Sequence, residues 1–351
     1  MPRNPIADLR RIAYLLERAH EATYRVRAFR TAIATLEALP PGELEERAAA
    51  GTLTKLSGIG EVTARCVSES LAGEEPVYLR RLHATEDTDL DEATAALRSA
   101  LRGDCHTHSD WSDGGSPIEE MAKTAIELGH EYLALTDHSP RLTVANGLSA
   151  DRLRRQLDLV AGLNEQLAVL VADAGLPHGF RILTGIEVDI LADGSLDQTD
   201  ELLARLDVVV GSVHSRLRDE SAVMTHRMVT ALANPNLDIL GHCTGRLITG
   251  GRGRRPESTF DADAVFAAAV EYDKAIEINS RPERLDPPKR LLRVALEAGC
   301  RFTIDTDAHA PGQLSWLEYG CVRAVACGVP ADRVLNTLPA DDLVAWTASH
   351  G

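Results

Sequence analysis

The sequence is poor in aromatic residues, which make up 4% of its 351 residues. A core must therefore be built from aliphatic side chains, and 44% of the residues are hydrophobic. None of the six cysteines forms a CxxC pair, which argues against a disulfide framework and a cysteine-type zinc site. No apolar run approaches the roughly 18 residues that span a bilayer. Because Met1 to Asp8 is typical of the start of a folded helix rather than a leader peptide, we expect a cytoplasmic protein without membrane contact.

Basic residues are also fewer than acidic ones, and the formal net charge is −16. The deficit is uneven, because residues 1–83 carry 12 Lys+Arg against 11 Asp+Glu and the remaining residues carry 25 against 42. An acidic body argues against tight nonspecific binding to nucleic acid and suits a site that concentrates divalent cations.

Two segments with different patterns meet near residue 100. Residues 4–72 carry apolar side chains at helical spacing, whereas from Gly103 onward short apolar runs alternate with helical stretches. We predict about seven strands, at 104–108, 132–136, 182–188, 208–213, 239–241, 275–279 and 302–305. This alternation predicts a parallel sheet with helices outside, closed or nearly closed into a barrel. The expected domains are a helical domain at 1–83, a linker at 84–102 and an α/β domain at 103–351.

Metal-binding side chains follow every predicted strand but the sixth. Barrel enzymes build their sites at the carboxyl ends of the strands, so these side chains are expected to meet. Residues two apart on a strand point to the same side, as His106 and His108 do, and as Asp307 and His309 do. The nine candidates are His106, His108, Asp113, His138, Glu187, His214, His242, Asp307 and His309. Nine exceeds what one ion can use, so two or three divalent ions are expected, as Zn²⁺, Mn²⁺ or Fe.

The motifs HTH at 106–108, SDG at 112–114, TDH at 136–138, GIEVD at 185–189, SVH at 212–214, GH at 241–242 and DAH at 307–309 carry a family resemblance. In this order they resemble the PHP (polymerase and histidinol phosphatase) family, in particular the PHP portion of bacterial family X DNA polymerases. The resemblance implies a distorted (β/α)7 barrel with a trinuclear metal site that activates water for attack on phosphorus. Asp137 is expected to support the ligands from outside the cluster.

The family pattern also implies how the ligands divide. One ion is expected on His106, His108, Glu187 and Asp307. Glu187 is expected to bridge to a second ion on His214 and His242, and the third ion is expected on Asp113, His138 and His309. Arginines that follow strand ends are candidates for binding the substrate phosphate, namely Arg216, Arg246 and Arg281.

The N-terminal segment resembles the small helical DNA-end-binding domain of the same polymerases. The resemblance rests on the run YRVRAFR at 24–30 and on LSGIG at 56–60, a helix-hairpin-helix signature. Gly58 and Gly60 are the candidate DNA-binding residues, because a glycine lets backbone N–H groups approach a phosphate. Only about 30 residues separate this segment from the barrel, too few for a polymerase palm and fingers, so polymerase activity is not expected.

Three functions stay open from the sequence. The first is a 3′–5′ exonuclease or DNA-end-processing phosphodiesterase. The second is a small-molecule phosphomonoesterase of the histidinol-phosphatase type, favoured by the acidic charge. The third is a non-catalytic DNA-binding accessory protein, which the near-complete ligand set disfavours. The oligomeric state does not follow from the sequence.

Overall fold

Two compact units, Met1–Asp89 and Leu90–Gly351, make up the chain. The structure is a computed structural model that describes residues 3–85, 89–173, 179–250 and 253–350. Among the helices it describes, none is long and apolar enough to cross a membrane.

The first unit consists of helices around an aliphatic core. Its helices are α1 (Pro5–Arg18), α2 (Thr23–Glu37), α3 (Glu43–Ala49), α4 (Glu61–Leu71) and α5 (Val77–His83). Asn4 caps α1 by accepting hydrogen bonds from the backbone N–H groups of Ile6 and Ala7, which have no partner within the helix. Leu9, Leu16 and Phe29 are among the side chains that fill the core.

The second unit begins with α6 (Glu92–Ala100), whereas the sequence assigned residues 84–102 to a linker. Leu97 and Leu101 are buried in the core of the second unit, and α6 packs against the late helix α13 (Leu317–Cys327).

Seven parallel strands run around the second unit in sequence order. They are β1 (Gly103–Thr107), β2 (Tyr132–Leu135), β3 (Arg181–Asp189), β4 (Val208–Ser212), β5 (Ile239–Leu240), β6 (Ala275–Asn279) and β7 (Arg301–Asp305). The remaining helices are α7 (Ile118–Glu127), α8 (Ala150–Asp173), α9 (Asp200–Leu203), α10 (Ser221–Leu232), α11 (Ala262–Glu271), α12 (Lys289–Ala298) and α14 (Ala340–Ala348). The predicted fold classes, a (β/α)7 barrel and a small helical domain, are confirmed.

The barrel closes between β1 and β7 through a side chain rather than a full ladder. An isolated bridge joins Thr107 of β1 to Ala308, three residues beyond the end of β7. Below it, the buried amide of Asn336 donates to the carbonyls of Gly103 (3.0 Å) and Ile304 (2.7 Å) and accepts from the N–H of Ile304 (3.1 Å). Asn336 therefore satisfies backbone groups that an eighth strand would otherwise pair.

The opposite end of the barrel is closed by the last helix. Leu343 and Trp346 of α14 join the apolar cluster that contains Tyr132 and Val208 from inside the barrel. His350 lies 2.8 Å from Asp238, and the Trp346 indole donates to Asp273. Substrate access is therefore left to the carboxyl ends of the strands.

Replacing Asn336 by Ala should lower the free energy of unfolding by about 3 kcal/mol, because three buried backbone groups lose their partner. Urea unfolding followed by circular dichroism measures the change. Ser99→Ala, at an exposed site on α6, serves as the control and should change stability by less than about 0.5 kcal/mol. Equal stability of the two variants would show that the seam does not depend on this amide.

Candidate metal centre

The nine predicted side chains meet at the carboxyl ends of the strands. His106 lies on β1 and Glu187 on β3, while His242 and Asp307 follow β5 and β7. His242 and Asp307 leave their strands with positive φ values of 20° and 53°. Non-glycine residues rarely adopt this conformation, and here it accompanies the turn of each side chain toward the centre.

Glu187 lies at the middle of the cluster, and its two oxygens face different groups. Oε2 lies 3.4 Å from His106 Nε2 and 3.6 Å from His108 Nε2. Oε1 lies 2.8 Å from His242 Nε2 and 3.2 Å from His214 Nε2. A carboxylate with one oxygen toward each set of imidazoles has the arrangement of a bridging ligand. Asp307 completes the first set, since its Oδ1 lies 3.4 Å from His108 Nε2.

A third group surrounds Asp113. Its Oδ1 lies 3.4 Å from His138 Nε2 and 3.3 Å from His309 Nε2. The other ring nitrogen of His138 lies 2.7 Å from Glu187 Oε2, so this imidazole also touches the centre. Three sets of ligand atoms lie within 4.8 Å of one another: His108, Asp113, His138 and His309; His106, His108 and Asp307; and His138, Glu187 and His214.

The spacing between ligand atoms fits cations better than direct hydrogen bonds. Two ligands about 2.1 Å from a tetrahedral ion lie about 3.4 Å apart, whereas N–H···O hydrogen bonds measure roughly 2.7–3.2 Å. Most of the contacts above fall at 3.2–3.6 Å. Moreover, His106 Nε2, His108 Nε2, His214 Nε2 and Glu187 Oε2 are buried and make no hydrogen bond to any residue that the structure describes. Buried polar atoms are rarely left unpaired, so the donor set fits divalent ions.

Electrostatics within the cluster match this chemistry. Burial penalises the Glu187 carboxylate, but His214, His138 and His106 hold its pKa well below the usual range. Burial lowers the pKa of His108, and His309 and His138 lower it further, which leaves a neutral imidazole with a free lone pair. Burial acts in the same sense on His214, yet Glu187 and Asp189 raise its pKa to about 9. A cation that binds here would displace the proton of an imidazole such as that of His214.

Sequence reasoning missed Glu277, which orients a candidate ligand. Its Oε1 lies 2.6 Å from His106 Nδ1, and its Oε2 accepts from the backbone N–H of His242 (2.5 Å). A carboxylate on the far nitrogen fixes the tautomer of a metal-binding histidine and leaves Nε2 as the ligand atom. The available signal was the run Glu277-Ile278-Asn279, whose polar residues alternate along an otherwise buried strand.

Two further acids, Asp137 and Asp189, lie near the cluster but outside the candidate ligand sets. Asp137 accepts hydrogen bonds from Ser109, Ser112 and Gln156, and it is not among the candidate ligand sets. Asp189 Oδ1 lies 3.5 Å from His214 Nδ1 and accepts from its backbone N–H.

The three candidate arginines occupy different places. Arg281 is buried and donates to Glu283 and to the carbonyl of Asp307, with His309 Nδ1 3.0 Å away. Arg246 donates to the carbonyls of Arg284 and Leu285, so contacts within the protein already use its donors. The Arg216 side chain is 58% exposed and pairs with Asp219.

Gly58 and Gly60 lie in the turn that leads into α4. Gly58 has φ +84°, and a Cβ there would lie 2.6 Å from Thr31 Cγ2, so glycine is required. Gly60 has an extended conformation with open space around it, and its N–H is bonded to Thr63 Oγ1 at 3.0 Å.

Comparisons with known proteins match both units. Residues 104–281 match the family model described as the PHP domain, and residues 3–75 match that described as a helix-hairpin-helix domain. A DNA polymerase/3′-5′ exonuclease PolX of Bacillus subtilis is 40% identical over 271 residues, which cover 77% of this chain but 45% of that protein. A probable phosphatase of Thermoanaerobacter is 29% identical over 245 residues, 67% of this chain and 89% of the relative.

A solved structure was also matched, at low identity. Histidinol phosphate phosphatase of Lactococcus lactis, complexed with zinc, L-histidinol and phosphate, gives a TM-score of 0.47 at 18% identity. That comparison covers 65% of this chain and 94% of the other.

Replacing Glu277 by Gln should weaken binding of Mn²⁺ roughly 10- to 100-fold, the range seen when a residue that orients a metal-bound histidine is changed. The new amide would also point its own N–H group at an N–H group that donates to Glu277 in the wild type. Isothermal titration calorimetry of metal-free protein measures the effect. Glu165→Gln, an exposed change with the same loss of charge, should bind as the wild type does. An unchanged affinity in Glu277→Gln would contradict the assigned role.

Proposed function

The chain belongs to the PHP family of metal-dependent phosphoesterases, as its motifs predicted, and from that premise we propose that it cleaves phosphodiester bonds at DNA ends, most simply as a 3′–5′ exonuclease. The observation that carries the proposal is the pairing of this metal centre with a helix-hairpin-helix unit in one chain. The matched polymerase is named as both a polymerase and a 3′-5′ exonuclease, and this chain covers 45% of it.

The proposed ligand assignment follows the contacts around Glu187. We propose one ion on the side of Oε2, a second on the side of Oε1, and a third around Asp113. The respective partners are His106, His108 and Asp307; His214 and His242; and His138 and His309. Bound divalent ions would supply a water acidic enough to deprotonate near neutral pH and would neutralise charge on phosphate oxygens.

The protein's own residues do the remaining work in this proposal. Glu277 and Asp189 hold His106 and His214 in the orientation that presents Nε2. Arg281 ties the backbone of Asp307 to His309, which fixes two candidate ligands relative to each other. No side-chain nucleophile is required. Imidazole and carboxylate donors suit Zn²⁺ or Mn²⁺, with Fe as a further option.

DNA would be bound by the first unit. The turn at Gly58–Gly60 leads into the N-terminus of α4, where backbone N–H groups can approach a phosphate. The proposal is also compatible with the cytoplasm, since all six cysteines are unpaired thiols.

A second candidate function is hydrolysis of a small phosphomonoester. It is favoured by the relatives named probable phosphatase, which this chain covers over most of their length, and by the net charge of −16. The third candidate, a non-catalytic DNA-binding protein, is disfavoured because a decayed site would be expected to have lost ligands.

Purified protein with Mn²⁺ should release mononucleotides from end-labelled DNA and should leave histidinol phosphate and an aryl phosphate largely intact. His106→Ala should reduce that activity by at least about a hundredfold, because the change removes a candidate ligand. His226→Ala, on α10, is the matched control. Monoester hydrolysis without nucleotide release would favour the phosphatase, and full activity of His106→Ala would assign the activity to another site or a contaminant.

Gly60→Asp should weaken binding to duplex DNA about tenfold, since the new carboxylate repels a phosphate at the end of α4. Stability should be preserved, because Gly60 is the N-cap of α4 and Asp is favoured there. Fluorescence anisotropy with labelled DNA measures the affinity. Gly179→Asp adds the same charge in the second unit and should bind DNA as the wild type does. Equal affinities would exclude this turn from DNA binding.

A further inference from the structure

Arg284 carries buried cationic donors that make no hydrogen bond to the described residues. It follows β6, and its side chain is 10% exposed. Within the part of the chain that the structure describes, its Nε and Nη1 are buried and make no hydrogen bond. Nε lies 3.2 Å from Asp307 Oδ2, an ion-pair contact without hydrogen-bond geometry. A buried charged donor that makes no hydrogen bond raises the free energy of the folded protein. The unbonded donors of Arg284 therefore require an explanation.

The loop around Arg284 is held firmly. Asp286 accepts from the N–H (3.1 Å) and the hydroxyl (2.7 Å) of Thr244, and Arg246 donates to the carbonyl of Arg284 (2.9 Å). Arg323 donates to the carbonyl of Asn279 at the end of β6. Two neighbouring arginines therefore use their donors to hold this backbone in place, and the fold fixes the position of Arg284.

The contrast with Arg281 is informative because both arginines lie in the same loop. Arg281 donates to Glu283 and to the carbonyl of Asp307. Arg284 has only the single contact with a carboxylate oxygen that is itself a candidate metal ligand. Of the two, Arg284 has donors available for a ligand.

Charge balance indicates the sign of that ligand. Arg284 faces Asp307, with its Nε 3.2 Å from Asp307 Oδ2. Once Asp307 binds a cation, the carboxylate that faces Arg284 is shared with that cation. An anion at this position would restore a counter-charge to the guanidinium.

We propose that Arg284 donates hydrogen bonds to a non-bridging oxygen of the substrate's phosphate group. The inference rests on the proposed phosphoesterase function. A guanidinium matches this role because its planar fork can bind two phosphate oxygens at once, and its charge is retained at every physiological pH. Arg284 would thus give the phosphate a cationic contact from the protein. The carboxylates and imidazoles that hold the metal ions cannot give one.

The test uses inorganic phosphate as the probe and the full chain loaded with Mn²⁺. Arg284→Met should weaken phosphate binding roughly 10- to 100-fold by isothermal titration calorimetry, and Arg284→Lys should weaken it less. Arg154→Met, an exposed change on α8, should bind phosphate as the wild type does. Bound Mn²⁺ and far-UV circular dichroism are measured on every variant.

Arg284→Lys keeps a charge opposite Asp307 and guards against loss of the fold or the metal. The inference is overturned if Arg284→Met binds phosphate like the wild type. It is also overturned if the weakening follows a loss of bound Mn²⁺, which would make Arg284 a support for Asp307. Failure of the proposed function looks different, since the wild type would then bind phosphate but hydrolyse neither DNA nor a monoester.

Discussion

The fully buried carboxylate of Glu187 is the constraint around which the rest of the second unit is organised. A charge removed from water is costly unless partners compensate it, and here the compensation comes from five imidazoles that surround its two oxygens. Those imidazoles cannot all be satisfied by one carboxylate, and several of their nitrogens stay unpaired. The cluster is therefore a stable arrangement only for a chain that takes up cations, and its stability and its chemistry have a common origin.

The fold supplies what this cluster requires. Parallel strands bring their carboxyl ends to one rim, so residues 200 positions apart in sequence become neighbours, as His106 and Asp307 do. The seam, where β1 and β7 meet, must hold these strands close together, because β1 carries His106 and Asp307 follows β7. Asn336 maintains that seam with one buried amide, and α14 closes the far end of the barrel. The strands are short, and β5 has two residues. Its main role is to place His242 at the rim of the barrel.

Much of this could be predicted from sequence, because alternation and spacing are local properties. The seven strands, the two units and the convergence of nine side chains follow from patterns of a few residues. Glu277 was missed because it acts from within a strand, where a buried acid resembles any other inward position until its partner is known. The role of Arg246 could not be inferred either, since its hydrogen bonds join residues about 40 positions apart. The sequence treats 84–102 as a linker, because the burial of Leu97 and Leu101 depends on contacts with residues far along the chain.

The metal centre alone does not choose between the candidate substrates. Its ligands act on the phosphate group, which a DNA end and a small phosphomonoester share, so selectivity must come from groups that contact the rest of the substrate. The acidic second unit offers little attraction for a long polyanion, and residues 1–83 carry nearly balanced charge. A DNA substrate would then depend on directed contacts, such as backbone N–H groups at the N-terminus of α4, rather than on bulk electrostatics. Affinity for a DNA substrate should accordingly be modest, because it would rest on these local contacts rather than on the net charge of the chain.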